Sequence, residues 1–329
     1  MRKIYFFICL TLLLVISGLQ VESKMKISFA AVSANTYTVK AILPVNQVDS
    51  QASFYNLRVR SGKRQTLKLR VTNLADQILI VKTQINDAYT SNNGVVNYDR
   101  TQVTPVRKDQ PVLSRLIVGT RTQKLHLKAR SSKLVKFTYQ APKKHFTGII
   151  LGGITTVAKV VDRSVATPQI NPRIRYVTGI VLHPQLESNQ IRPQVSMRRN
   201  FPKISKKGLQ LKLQNQKLIN LSPIQLRVAL YRGQRKIRQQ KFNNCQLAPN
   251  SNWVINLPWT NLTPGNYQVR VNLKSPSYRR SFRRNLIIGA QQDSEGSLIK
   301  LLTIKVSLII LVIVVVLNSY RFLKKKSTN

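Results

Sequence analysis

NLRVRSGKRQTLKLRVTN, residues 56–73, decides the fold class. Leu57 and Val59, then Leu67, Leu69 and Val71, are apolar, and the positions between them are mostly basic or polar. Apolar side chains at every second position put one face of an extended chain in a core and the other in water, the period of a half-buried antiparallel strand. Ser61-Gly62 between the two runs is a turn signal. The pattern continues outward through QILIVKTQI (77–85) and KLVKFTYQAP (133–142), which places Val135, Phe137 and Tyr139 on one face. GIILGGITTVAKVV (148–161) is an apolar strand whose Gly152 and Gly153 mark a bulge or a close backbone approach. DRSVATPQINPR (162–173), with two prolines, reads as a linker. A second strand series follows: RYVTGIVL, LQLKLQN, IQLRVALYR, WVINLPW, GNYQVRVNL and RNLIIG. The expectation is an all-β protein of two tandem immunoglobulin-like β-sandwiches, residues 35–161 and 173–290, joined by a linker at 162–172.

The chain ends place this body in the cell. Arg2 and Lys3 precede an apolar run from Ile4 to Ile16, the layout of a secretory signal peptide, expected to span 1–34. Near the other end, Leu301 to Leu317 is almost wholly apolar, so residues 298–320 are expected to cross a bilayer as one helix. Residues 321–329, with Lys324, Lys325 and Lys326, form a basic tail expected in the cytoplasm, the body lying outside in the wall. Cys9 falls in the signal peptide, which leaves Cys245 alone and no intramolecular disulfide in the mature chain.

Lys plus Arg number 54 against 10 Asp plus Glu, a formal net charge of +44. Such a balance implies a polyanionic neighbourhood. For an exported, membrane-tethered body, anionic wall polymers or lipid headgroups explain it more simply than nucleic acid, which is not an expected partner. Enzyme motifs are missing. His126, His145 and His183 lack metal-ligand spacing with one another or with cysteine. There is no Gly-rich phosphate loop and no G-x-S-x-G elbow, and no cofactor is expected. One carboxylate pair, Asp87 and Asp99, has a spacing that lets the two meet across a hairpin, which keeps a wall-active hydrolase open as an alternative.

Charge is also unevenly spread. From Thr83 to Asp99 there is no Lys or Arg, nor from Ala41 to Leu57, nor from His145 to Ala158, and Phe242 to Val269 has no charged residue of any kind. Asn93-Gly94 in the first of these is a strong hairpin signal. Tyr89 and Tyr98 beside Asp87, Asn92 and Asn93 read either as packing and turn residues or as a neutral, hydrogen-bonding surface for a glycan. In the last segment, WVINL alternates as a core strand should, which makes Trp253 a core residue. Trp259 follows Pro258 at a strand end and is expected to be exposed. Interface centres are enriched in Trp and Tyr and depleted of charge.

These segments carry a resemblance. Pro44-Val45-Asn46-Gln47 with Ser53 to Leu57, Ala88-Tyr89-Thr90 with Asn93-Gly94 and Tyr98, and Gly148 to Ile154 resemble the first module of the WxL-interacting proteins of Gram-positive bacteria. Ala248-Pro249-Asn250-Ser251 and Pro264-Gly265-Asn266-Tyr267 resemble its second. Val45 stands where the family often has Glu, and the chain lacks a Trp-x-Leu motif of its own. The resemblance implies a first module that binds peptidoglycan, with Asn46, Gln47, Asp87, Tyr89, Asn92, Asn93 and Tyr98 as candidate glycan contacts. It implies a second module that binds WxL-domain proteins and, for some members, host matrix proteins, with Asn250, Trp259 and Tyr267 as candidate contacts. A two-domain immunoglobulin-like chaperone for surface-protein assembly is the alternative.

Overall fold

The computed structural model describes residues 36–160, 174–185, 191–205 and 207–289. The expected signal peptide (1–34), linker (162–172), membrane helix (298–320) and tail (321–329) lie outside the described residues. Among the described residues no helix is long and apolar enough to cross a membrane.

The protein is nearly all β, arranged as two pairs of facing sheets with one core each. In the first sandwich, β1 (Tyr37–Ile42), β3 (Arg64–Asn73), β9 (Ser132–Gln140) and β7 (Ile117–Val118) form one sheet in the order β1-β3-β9-β7. The facing sheet runs β2 (Tyr55–Val59), β11 (Arg175–Pro184), β10 (Ile150–Val160), β4 (Leu79–Asp87), β8 (Thr122–Leu127). The alternation seen in the sequence closes on this core: Leu57, Leu67, Leu69, Val71, Val135, Phe137 and Tyr139 are all buried in it. In the second sandwich, β16 (Arg235–Leu247), β15 (Leu221–Arg232), β18 (Gly265–Ser275) and β19 (Tyr278–Ile288) form one sheet. Opposite lie β12 (Val195–Met197), β14 (Gly208–Asn215) and β17 (Asn252–Leu257), with β13 (Lys203–Ser205) also on β14. Two very short strands extend that sheet beyond β17: β5 (Tyr89–Thr90) and β6 (Val96–Asn97). The one short helix among the described residues, α1 (Leu113–Leu116), follows them.

Each sandwich locks a corner with one buried asparagine. Asn73 donates from Nδ2 to the carbonyls of Gln77 and Lys128 at 2.8 Å, while its Oδ1 accepts from the Ala75 amide. Asn215 donates to the carbonyls of Ile219 and Ala248, and its Oδ1 accepts from the Lys217 amide. Both side chains are 0% exposed. A buried amide is stable only when its donors and acceptors are met, and both corners meet them with backbone groups.

Two expectations about organisation are corrected. RYVTGIVL does not open the second sandwich. As β11 it pairs antiparallel with β10 and parallel with β2, because Ile180 and Leu182 complete the first core. The turn signal at Ser61-Gly62 carries the chain between sheets: β2 lies in one and β3 in the other, and Gly62 (φ +70°) turns between them. Finally, the chain leaves the first sandwich at Ala88, so residues of the expected first domain finish a sheet of the second. The sheets therefore do not divide where the proline-rich segment suggests.

Candidate binding site at the module seam

The cation-free stretch around Asn93-Gly94 is the seam. β4 ends at Asp87, and after Ala88 the strand β5 joins a different sheet: Thr90 lies parallel beside Trp253 of β17. The loop from Ser91 to Val95 closes on itself through the Ser91 amide and the Val95 carbonyl (2.9 Å), and β6 returns antiparallel to β5. Its backbone carbonyls serve the second module. The Trp253 indole Nε1 donates to Asn92 O at 3.2 Å, and the Gln246 amide donates to Gly94 O at 2.7 Å. The Ala248 amide donates to Thr90 Oγ1 at 2.9 Å. Gly94 sits at φ +79°, and a Cβ there would stand 2.6 Å from Cys245 Sγ and 2.7 Å from Trp253 Cζ2. Glycine is needed twice over, for the backbone conformation and for the approach.

Most sequence-predicted site residues turn out to build this seam or the loops near it. Tyr89 is 7% exposed; its hydroxyl donates to Asp99 at 2.6 Å, and the Arg100 guanidinium lies 4.0 Å over its ring. The Tyr89 hydroxyl, followed by the Arg175 guanidinium, holds the Asp99 carboxyl below the usual Asp range. Asp87 is buried and accepts from both the amide and the hydroxyl of Ser114 at the start of α1. Asp87 and Asp99 thus have separate partners, and the geometry does not join them as an acid–base pair. Asn92 and Asn93 have exposed side chains on the loop. Asn46 exchanges hydrogen bonds with Gln65 and donates to Arg58 O, while Gln47 donates to Phe54 O and accepts from the Asn56 amide. These two hold the loop that presents Phe54.

The second module's candidates are buried as well. Asn250, 3% exposed at φ +46°, clamps the first module: its Nδ2 donates to Arg107 O at 2.9 Å and its Oδ1 accepts from the Arg107 amide at 2.7 Å. Its carbonyl accepts from the Val106 amide. Tyr267 is 4% exposed and donates to the Thr263 carbonyl four residues upstream, the bond of a tyrosine corner. The expected exposure of Trp259 is corrected: it is 6% exposed and part of the second core. Its amide bonds back to Leu257 O at 2.7 Å, and this tight turn over Pro258 folds the ring inward.

What the seam leaves open is a neutral cleft of about 710 Å³ walled by both modules. Gly153 and Gly179 face each other across β10 and β11, and Gly179 forms part of its floor. A Cβ on Gly153 would meet the Tyr98 ring at 3.1 Å, and one on Gly179 would meet Phe54 at 3.6 Å, so the two rings lie on one sheet face. Tyr176, Leu151, Asn220 and Gln246 also line it, and Lys40 is its single charged lining residue. Phe54 remains 37% exposed. The close approach expected at Gly152-Gly153 is real on both faces, since a Cβ on Gly152 would strike Leu113. Tyr98 was legible as a candidate. Tyr176 was not, because nothing in RYVTGIVL shows that it folds back beside β10.

Three comparisons bear on this arrangement. The profile of the WxL Interacting Protein peptidoglycan binding domain matches residues 37–158, and that of the WxL Interacting Protein host binding domain matches residues 166–296. Comparison with curated proteins returns no match. Among solved structures, the Salmonella enterica SafA pilin in complex with the SafB chaperone aligns at 11% identity and TM-score 0.31, covering 77% of this chain and 96% of that one. The E. coli chaperone DraB aligns at 12% identity and TM-score 0.27, covering 76% and 97%. The Pseudomonas aeruginosa CupB2 chaperone aligns at 13% identity and TM-score 0.25, covering 70% and 97%.

Proposed function

The chain belongs to the WxL-interacting protein family, and from that premise we propose that it is a non-catalytic cell-surface scaffold that holds peptidoglycan with its first module and a WxL-domain protein, or a host protein, with its second. It acts from the outer face of the membrane, with the signal peptide exporting the body and the C-terminal apolar run anchoring it. The observation that carries this reading is the neutral cleft: Phe54 and Tyr98 lie over the paired glycines, with amides of Asn220 and Gln246 at the rim. An aromatic face beside amide groups suits N-acetylated sugar rings, which present apolar C–H faces and polar edges. Exposed basic strands add a second, unspecific attraction to anionic wall polymers, which fades as salt shortens the Debye length to about 3 Å at 1 M. Sheet pairing across the seam supports the scaffold role, because it holds the two binding modules in one orientation.

The test is co-sedimentation of the full chain with purified wall stripped of anionic polymer, at low and high salt, with and without a WxL domain. Binding that persists in high salt, carries the WxL domain with it and releases no soluble muropeptides is the expected outcome. Phe54→Ala should weaken the salt-resistant part by roughly fivefold, about 1 kcal/mol, the loss expected of one contributing contact rather than of a hot spot. Salt-resistant binding unchanged by Phe54→Ala removes the cleft from the reading, and muropeptide release makes the protein an enzyme.

A further inference from the structure

We propose that a second cleft on the same seam, lined by Lys108, Arg115, Lys143, Lys144, Arg192 and Lys217, receives the carboxylates of the short peptides that peptidoglycan carries. The proposal rests on the wall-binding reading above. The cleft has a volume of about 790 Å³ and is walled by both modules. Its cations come from three regions of the chain: 108–115, the 143–144 pair before β10, and the second module's Arg192 and Lys217. Asp109 is the carboxylate in its lining, and both its oxygens are taken by Arg107, at 3.2 and 2.6 Å. Lys144 also lies within electrostatic reach of Asp109, but six lining cations stand against that one carboxylate among the described residues of the cleft. A concave surface of one charge sign concentrates the field that a flat basic face disperses into solvent.

The walls are fixed in advance. The Ser61 hydroxyl donates to the carbonyls of Pro142 and Lys143, the Gly62 amide donates to Pro142 O, and the Ala141 amide donates to Lys63 O. The far end of the same loop is tied across the seam. The Ile149 amide donates to Leu218 O at 2.7 Å, and Gly148 at φ +99° has no room for a Cβ, which would lie 2.0 Å from that oxygen. Gln110 donates to Gln216 O, and Arg115 donates to Lys108 O at 2.9 Å, which holds its guanidinium against the wall. Arg115, placed this way, loses little entropy when an anion arrives.

Chemistry beyond charge narrows the ligand. Phe146, Pro111 and Ile191 give the cleft apolar lining. A side recess of about 250 Å³ shares Pro142, Lys144, His145 and Phe146 with it and is closed by Val59, Ala141 and Pro184. A recess of that size beside a basic trough suits compact methyl-bearing groups next to a carboxylate, as in alanine-containing peptides. A long hydrophilic phosphodiester chain has no use for the apolar recess. The neutral cleft and this one flank the segments 147–151 and 217–220, so one glycan strand with its peptide branch reaches both.

The experiment measures binding of soluble, polymer-free peptidoglycan fragments to the full chain by calorimetry. One sample has free carboxylates and the other has them converted to amides. Three proteins are compared: wild type, Lys144→Gln/Arg192→Gln in the cleft, and Lys133→Gln/Lys136→Gln at two exposed positions of β9, which removes the same charge elsewhere. The proposal expects amidation and the cleft substitutions each to weaken binding by about tenfold without adding to one another, and the β9 substitutions to change it less than about threefold. Equal binding of free and amidated fragments, or an equal loss from the β9 pair, overturns it while leaving wall binding intact. Displacement of bound fragment from wild type, but not from the cleft variant, by a glycerol-phosphate polymer that outcompetes the carboxylated fragment also overturns it. No binding of either fragment by wild type defeats the wall-binding reading itself. Unaltered circular dichroism of both variants confirms that folding is not the cause.

Discussion

The loop between β5 and β6 and the outer face of the β16-β15-β18-β19 sheet are opposite extremes of the same charge pattern. From Thr83 to Asp99 there is no cation, while residues 191–289 contain no Asp or Glu at all. On the outer sheet face, like charges stand directly opposite one another: Arg270 faces Arg283, and Lys274 faces Arg279. Water tolerates that crowding. The seam does not, because its carbonyls and the Trp253 ring meet in a dry contact where an unpaired ammonium would be costly. The cation-free stretch 83–99 and the uncharged stretch 242–269, which look like separate ligand surfaces, are in large part each other's partners. Missing charge here marks burial between modules, and dense charge marks the solvated exterior.

The largest expected effect breaks that contact directly. Gly94→Val forces a β-branched residue to φ +79° and drives its side chain into Cys245 and Trp253. Strain and overpacking together should cost about 3 kcal/mol or more. Gly119→Ala is the calibrating partner, since Gly119 has a similar φ of +83° but nothing within 4 Å of its added Cβ. It should cost about 1–2 kcal/mol, the strain alone. Chemical denaturation of the full chain reads both. Equal losses at the two positions would mean that the seam yields, and the contrast between buried loop and solvated face would lose its force.

Asn250→Ala comes next. It removes both side-chain bonds to the Arg107 backbone and a residue type suited to its φ of +46°. Leaving that amide and carbonyl unmet should cost about 2–3 kcal/mol. If the clamp joins the modules, the variant should also show earlier proteolysis near Val106 and Arg107 than near the solvated β16-β15-β18-β19 face. Cleavage spread evenly over both regions would argue for a local turn role instead.

Much of the fold was readable beforehand, for a physical reason. Period-two alternation reports which face of a strand is buried, so β3, β9, β15 and β18 were visible residue by residue. Alternation does not report which sheet a strand joins. RYVTGIVL and AYT both moved to an unexpected sheet, because pairing partners are set by three-dimensional closure rather than by local pattern. The burial of three candidate residues was hidden in the same way. Asn250, Trp259 and Tyr267 belong to motifs that are distinctive in sequence, and each is distinctive because its buried geometry demands it. The basic cleft escaped notice because its cations are scattered over more than a hundred positions in a chain where cations are everywhere.

A smaller effect sharpens the comparison at the hairpin's edge. The Tyr89 hydroxyl first, then the Arg175 guanidinium, hold Asp99 below its ordinary value of 3.8. A carboxyl depressed in the folded state contributes stability that is complete above its unfolded value and is lost as pH falls through the folded one. Wild type should therefore lose this contribution only below about pH 4. Tyr89→Phe should flatten that acid-side slope while leaving the solvated sheet unaffected. Urea midpoints collected between pH 2.5 and 6 decide it, and an unchanged slope would mean that Arg175 alone governs Asp99.

The smallest expected effect lies on the charged face itself. Arg283→Gln removes a guanidinium directly across from Arg270, whose own guanidinium lies 4.1 Å over the Tyr231 ring. Like charges opposite one another in a sheet are destabilising, and relieving one such pair is worth about 0.2–1 kcal/mol. Exposure puts the expected gain at the low end of that range, because water and counterions already screen the pair. The variant should thus melt slightly higher than wild type at low ionic strength. The difference should vanish near 1 M salt, where screening falls to about 3 Å. Gly94→Val, by contrast, should be indifferent to salt, since its cost is steric. Thermal melts of the two variants across a salt series separate the two regimes. A salt-independent loss from Arg283→Gln would show that this face, too, is held by a specific contact, and the division into a dry seam and a tolerant exterior would not stand.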